Sequence, residues 1–345
     1  MTSDELKKRL QAHFTDGLVT IVGSGLSCAE GIPGMKTLGG HLNVEVPRHL
    51  DTSLQTQWEP IAELLTAGYD LESAMLAHAP TPEVESVIVT LTSRFIAQYE
   101  SAVLQEVFSG TRTLRLTRLF KHLLKPPTGI PIITTNYERL VEIAAEMAGL
   151  GVDTQFVGHS YARLDAKECR MSFCRDTQTI KRNVHLRYAD RVVLSKPHGS
   201  LDWYQHNSEP MRCPYDLDLP RLLITPGRNK FRTGYDRPFD SHRERANRDI
   251  DRASRFLILG YGFNDDHLET HLSPRIRDGT PTLVLTHSLS PNGANLLAES
   301  PAMTVIAYDP ATDPGAIVHT KIGTTAFNGA NIWDLSQFIA EVLEP

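Results

Sequence analysis

The chain has 345 residues, 41% of them hydrophobic, and a formal net charge of -6. That is enough for one large α/β domain with insertions or two smaller ones, and the charge excludes a global nucleic-acid footprint. Four cysteines without a C-x-x-C pair exclude a zinc-ribbon pattern, and with no leader or membrane-length apolar run read, the expected setting is a reducing cytoplasm.

Thr2 and Glu5 stand at capping-box spacing before Leu6 and Leu10, predicting an N-terminal helix to about Phe14, ended by Asp16-Gly17. Leu18 to Val22 is a continuous apolar, β-branched run, as a strand buried on both faces requires. Comparable runs recur at 130–134, 191–194, 222–225, 256–259, 282–285 and 304–307. Most are separated by helix-like segments. The alternation predicts an α/β, Rossmann-like fold, a mostly parallel open sheet with helices on both faces.

From residue 36 to 125 the strand signal is weak, while 82–108 and 111–124 carry apolar residues at helical spacing. This reads as a helical insertion whose job is to roof a cleft. Residues 137–147 read as a helix, 151–190 as an irregular peripheral insertion, and 332–343 as a packed amphipathic helix. The expected organisation is a single domain, 1–345, with its core at about 15–35 and 126–310, the insertion at about 36–125, and a C-terminal strand and helix at about 302–345.

Three short motifs each follow a predicted strand, at the carboxyl edge where such sheets bind ligands. In Gly23-Ser24-Gly25-Leu26-Ser27 the glycines leave room for a pyrophosphate, and a following helix would offer free N–H groups. The same residues also suit a merely tight strand–helix turn. Thr134-Thr135-Asn136-Tyr137-Glu138 brings an amide that can orient a water or a ribose hydroxyl, or simply cap a helix. Lys196-Pro197-His198-Gly199-Ser200 brings an imidazole able to take a proton near neutral pH, although most lone loop histidines are structural or exposed. A hydride-transfer fingerprint is imperfect, because Cys28 stands where G-x-G-x-x-G needs its third glycine and the acidic Glu45 is soon followed by Pro47.

Weaker signals have ordinary readings. His267 and His271 lie at i,i+4, but Glu269 is misplaced for H-E-x-x-H. Asp265 and Asp266 read as a nucleotide-facing turn and helix start. Arg112, Arg115, Arg118 and Lys121 form a basic stripe of the kind that is usually solvated or paired, and the arginines from Arg243 to Arg255 alternate with acids as on a salt-bridged surface.

The motifs also carry a family resemblance. GSGLSCAEGIP resembles the sirtuin GAGxSxxxGIP loop, TTNYE its TQNID segment, and KPHGS its catalytic HG segment. Leu259 to Asp266 is similar to a strand-end motif of divergent bacterial SIR2-like proteins. The matches span about Leu18 to Leu268. The resemblance implies a sirtuin/DHS-like Rossmann fold with NAD as substrate. By it, Gly23, Gly25 and Ser27 hold phosphates, Thr135 and Asn136 line the nicotinamide-ribose pocket, His198 is the general base, and Gly260 lies near the adenosine half. Ser24, Leu26, Pro33, Gly199, Ser200, Tyr261 and Gly262 complete the implied cofactor site.

Two departures redirect the implied activity. Gly34-Met35-Lys36 replaces the acidic-Phe-Arg segment that follows GIP in sirtuin deacylases, and only Cys213 follows His198 where they carry a four-cysteine zinc module. With Tyr137, these features resemble the SIR2-like NADases of bacterial anti-phage defence. The expected activity is therefore metal-free NAD hydrolysis to nicotinamide and ADP-ribose. The alternatives are an NAD-dependent deacylase or ADP-ribosyltransferase, and a catalytically silent nucleotide sensor or assembly subunit. The family also implies a homo-oligomer, controlled by a HerA-type ATPase or another sensor subunit. Neither membrane attachment nor direct nucleic-acid binding is expected.

Overall fold

Nine strands form the main sheet of the computed structural model: β1 (Leu18–Val22), β2 (Ile130–Thr134), β3 (Gly151–Asp153), β4 (Arg191–Ser195), β5 (Arg255–Leu259), β6 (Thr282–Thr286), β7 (Met303–Ala307), β8 (Gly315–Thr320) and β9 (Gly323–Asn328). The structure describes residues 3–180, 183–227 and 236–344. Thr2, half of the expected capping box, lies outside them.

The strands lie in the order β9-β8-β7-β6-β5-β1-β2-β4-β3. All neighbours from β3 to β7 run parallel, and β8 and β9 add an antiparallel edge. Leaving out the short edge strand β3, the parallel strands follow the doubly wound 3-2-1-4-5-6 order. The chain leaves β1 toward β2 on one side and later returns to β5 on the other. That divergence opens a crevice beyond the carboxyl end of β1.

The apolar strand sequences follow from two cores, one on each face. In β5, Phe256 and Ile258 join one cluster and Leu257 and Leu259 the other, all at most 1% exposed. A strand covered on both sides cannot alternate with polar residues. One cover is the helix Asp266–Arg277, whose Leu268, Leu272 and Ile276 recur every fourth residue and are fully buried. Each such side chain contributes about 1.5–3 kcal/mol.

Several expectations are corrected. The run at 222–225 is not a main-sheet strand: Arg221–Leu223 pairs antiparallel with Gly199–His206 in a second, five-stranded sheet. Length and apolarity do not reveal which sheet a three-residue strand joins. The irregular stretch 151–190 contains β3, two short strands of the second sheet, the helix Ala166–Ser172 and the hairpin Cys174–Ile180/Asn183–Tyr188. Of the helix expected at 111–124 only Arg115–Leu119 is helical, a segment bounded downstream by Pro126-Pro127, which disfavour helix. The C-terminal helix is limited to Leu335–Phe338 and a π turn, Ile339–Leu343.

Candidate functional site

The glycine-rich turn after β1 is shaped first by backbone packing. A Cβ on Gly23 would lie 2.5 Å from the Gly260 carbonyl oxygen, and one on Gly25 2.8 Å from Gly260 Cα. Gly260 itself has φ +59°, and a Cβ there would lie 2.5 Å from the Leu26 nitrogen. Gly25 N–H donates to Gly260 O at 2.9 Å and Gly23 N–H to Leu259 O at 2.9 Å. The loops after β1 and β5 thus touch backbone to backbone, which only glycine permits. They form the floor between two clefts.

The first cleft, about 220 Å³, is lined by Ser24, Ser27, Pro33, Thr135, Asn136, His198, Tyr261 and Gly262 among others. Met35, Leu38, Glu72 and Ile96, from three of the helices between β1 and β2, cover it. The second, about 290 Å³, is lined by Ser24, Gly25, Leu26, Gly260, Tyr261 and Gly262, together with His287, Trp333 and Asp334. Ser24, Tyr261 and Gly262 belong to both, so the clefts adjoin. Gly23, Gly199 and Ser200 line neither; Gly23 directly follows β1, and Gly199 and Ser200 begin the strand Gly199–His206.

Asn136 is held from behind. Thr134 Oγ1 donates to Val22 O at 2.9 Å and accepts from Asn136 N at 3.1 Å. The Asn136 amide nitrogen donates to Gly23 O at 3.0 Å and to Ser27 Oγ at 2.7 Å. Ser27 in turn donates to Glu138 Oε1 at 2.6 Å. With both amide hydrogens occupied, the Asn136 oxygen is the atom left to meet a ligand. The expected helix at 137–147 begins at Leu140, so Asn136 is no helix cap. Ser27 is committed to the same relay and is 5% exposed.

Glu138 is fully buried, and desolvation raises its carboxyl above the usual range against the opposing pull of Lys196. The Lys196 ammonium donates to Glu138 O at 2.6 Å, Tyr137 O at 3.4 Å and Glu142 Oε1 at 3.1 Å. Burial also raises Glu142, whereas Asp202, equally buried, is held low by the Arg212 guanidinium 2.7 Å away. The roof is anchored by Glu100 of the helix Pro82–Phe108, which accepts from Arg139 N at 2.5 Å.

His198 sits in the turn from β4 into Gly199–His206. Gly199 has φ +90°, and any Cβ there would collide with the Leu222 carbonyl. Ile224 N donates to His198 O at 3.0 Å. The imidazole Nε2 stands 2.6 Å from Asp265 Oδ2, with the two side chains 9% and 5% exposed. Asp265 Oδ1 caps the helix Asp266–Arg277, accepting from His267 N and Leu268 N, each at 3.1 Å. The sequence marks Asp265 as a turn and helix-start residue, but no spacing rule pairs it with a histidine 67 positions earlier. The second-cleft residues His287 and Trp333 are equally unmarked.

The weaker signals resolve into ion pairs, not all of them at the surface: Arg245, expected on a salt-bridged surface, is 8% exposed and pairs with the buried Asp153 at 2.8 Å, because its helix packs against the sheet. Arg112 and Arg115 meet Glu30, Arg115 also meets Asp334, and Arg118 meets Glu344. His271 Nδ1 lies 2.9 Å from Asp251 Oδ1. Among the described residues there is no group of three or more His, Cys, Asp or Glu that could hold a metal, and no helix is long and apolar enough to cross a membrane. A further cavity of about 220 Å³ lies at the opposite, amino edge of the sheet, lined by Phe14, Leu18 and Ile130 among others. It lies apart from Asn136 and His198.

Residues 131–299 match the family described as SIR2-like domain. The matched region contains Asn136, His198 and Asp265 but not the Gly23–Ser27 turn, which the tertiary structure brings beside them. No curated protein sequence matches the chain. Among solved structures, one of Sir2 with a p53 peptide and NAD+ is 13% identical, with 100% of each chain covered and a TM-score of 0.41. One of Sir2 with a deacetylated p53 peptide and 3'-O-acetyl ADP ribose is 14% identical, covering 100% of this chain and 98% of the other, TM-score 0.43. A Sir2 homologue–NAD complex is 13% identical over 88% of each chain, TM-score 0.37. The likeness that carries weight is the family match: residues 131–299, a little under half of the chain, are similar to the SIR2-like domain.

Proposed function

We propose that this protein cleaves NAD at the bond between nicotinamide and ribose, giving nicotinamide and ADP-ribose. The SIR2-like domain supports NAD-related chemistry. The observation that carries the finer reading is that Asn136 and His198 line one cleft, which shares Ser24, Tyr261 and Gly262 with a second. Two adjoining clefts fit a dinucleotide, with the nicotinamide ribose beside Asn136 and His198 and the adenosine half toward His287 and Trp333. The backbone contacts that tie the loops after β1 and β5 support a pyrophosphate lying over the floor they form.

The leaving group needs little help. As the glycosidic bond breaks, its electron pair passes to the pyridinium nitrogen, and the departing nicotinamide is neutral. The protein has to exclude bulk water and stabilise the oxocarbenium-like charge left on the ribose. The Asn136 oxygen, fixed by the Ser27–Glu138 relay, orients the attacking water or a ribose hydroxyl. His198 takes the proton that water loses as its oxygen bonds to C1'. Glu72 and Asp265 place carboxylates along the same cleft, a field that favours a cationic transition state.

The proposed setting is NAD depletion in anti-phage defence, with activity restrained by a homo-oligomer or by a separately encoded ATPase or sensor subunit. The test is to incubate purified protein with NAD in the absence of any acylated peptide and follow nicotinamide release, with and without its genomic neighbour. Release abolished by Asn136→Ala and by His198→Ala is the expected result. Release only when an acylated peptide is present would overturn hydrolysis in favour of deacylation, and NAD binding without turnover would make the protein a sensor.

A further inference from the structure

We propose that Asp265 is the positioning residue for His198, holding its imidazole in the tautomer that carries the proton on Nε2 and leaves Nδ1 to accept one. The inference rests on reading His198 as the base.

Three observations converge on it. Nε2 of His198 and Oδ2 of Asp265 are 2.6 Å apart, and both residues are more than nine-tenths buried. Asp265 cannot swing away, because Oδ1 is engaged by two N–H groups at the start of a 12-residue helix. His198 cannot retreat either, since its carbonyl is bonded to Ile224 N and the next residue is a glycine that tolerates no side chain. The two atoms are in contact without the alignment of a linear hydrogen bond, and a rotation of the imidazole about its Cβ–Cγ bond supplies that alignment.

A carboxylate oxygen only accepts, so the nitrogen facing it carries the hydrogen, and the other nitrogen is then unprotonated in the neutral ring. Other polar groups around the cleft come from different elements: Glu72 from the helix Leu71–Ala77, Tyr137 and Glu138 from the loop after β2, and Tyr261 from the loop after β5. Asp265 is the one paired with the ring at contact distance.

Asp265→Asn separates this role from helix capping. Asparagine caps a helix about as well as aspartate, but its single oxygen is then consumed by His267 N and Leu268 N. Its NH₂ group faces His198 and requires an unprotonated Nε2. The proton moves to Nδ1, and the base is in the wrong tautomer, as when asparagine replaces the aspartate of a Ser-His-Asp triad.

The experiment combines two-bond 1H–15N correlation spectra of the His198 ring, assigned with His198→Gln, with nicotinamide-release kinetics and a thermal melt. We expect Nε2–H in the wild type and Nδ1–H in Asp265→Asn. Turnover should fall by about 10²–10⁴-fold, KM should change by less than about threefold, and the melt should be little changed. A wild-type ring protonated on Nδ1, or a variant with unchanged tautomer or unchanged kcat, overturns the proposal. A tautomer reversal in a protein that releases no nicotinamide leaves the pairing standing and defeats the NAD-cleavage reading instead.

Discussion

Lys196 and Glu142 form an ion pair inside the protein, Nζ to Oε1 3.1 Å, with 1% and 4% of their side chains exposed. The lysine comes from the turn that presents His198 and the glutamate from the helix that follows Asn136. The same ammonium donates to the Glu138 and Tyr137 carbonyls, so one buried cation locks together the two loops that carry the candidate chemistry.

Removing that cation alone leaves a buried carboxylate without its partner. Lys196→Met should therefore destabilise the protein by about 3–5 kcal/mol, read as a lower denaturation midpoint in urea. Lys196→Met combined with Glu142→Leu should recover part of that loss, because Glu142 is then no orphaned charge while Glu138 and the two loop carbonyls still lack the ammonium. A single variant as stable as the wild type would show that the pair does not hold the loops.

Gly260 is the position where the two clefts meet. With φ +59° and a Cβ that would press on Leu26 N and Gly25, Gly260→Ala combines backbone strain with overpacking. Each is worth about 1–3 kcal/mol, and chemical denaturation should show a loss near their sum. Nicotinamide release should fall with it, since the loop after β1 must shift.

His13 gives the fold a pH dependence remote from the site. Burial pushes its pKa down from 6.5 to about 4, against the opposing bond to Phe256 O at 2.8 Å. The unfolded chain takes up the proton first, so this stabilisation is complete above about pH 6.5 and is lost as pH falls toward 4. His242, fully buried and also pushed down, acts in the same direction. Unfolding measured from pH 7 to pH 4 should show a shallower decline for His13→Gln than for the wild type, by about 3 kcal/mol across the window.

The sequence by itself determined most of the main sheet and the loops that end its strands. Runs such as Leu18–Val22 and Ile130–Thr134 are apolar because both of their faces are covered, and that requirement is written locally. Short strands of the second sheet were not legible, since three residues carry no period and their partners lie far along the chain. Within the site, Asn136 and His198 stood out because each interrupts an apolar pattern just after a strand. What only the tertiary structure decided is what those residues touch. Ser27 meets Glu138 across 111 positions, and Asp265 reads as a helix cap until the sheet order brings β4 and β5 to either side of β1 and β2, with its second oxygen beside His198. Hydrogen bonds and ion pairs depend on distance in space, and the doubly wound topology sets those distances.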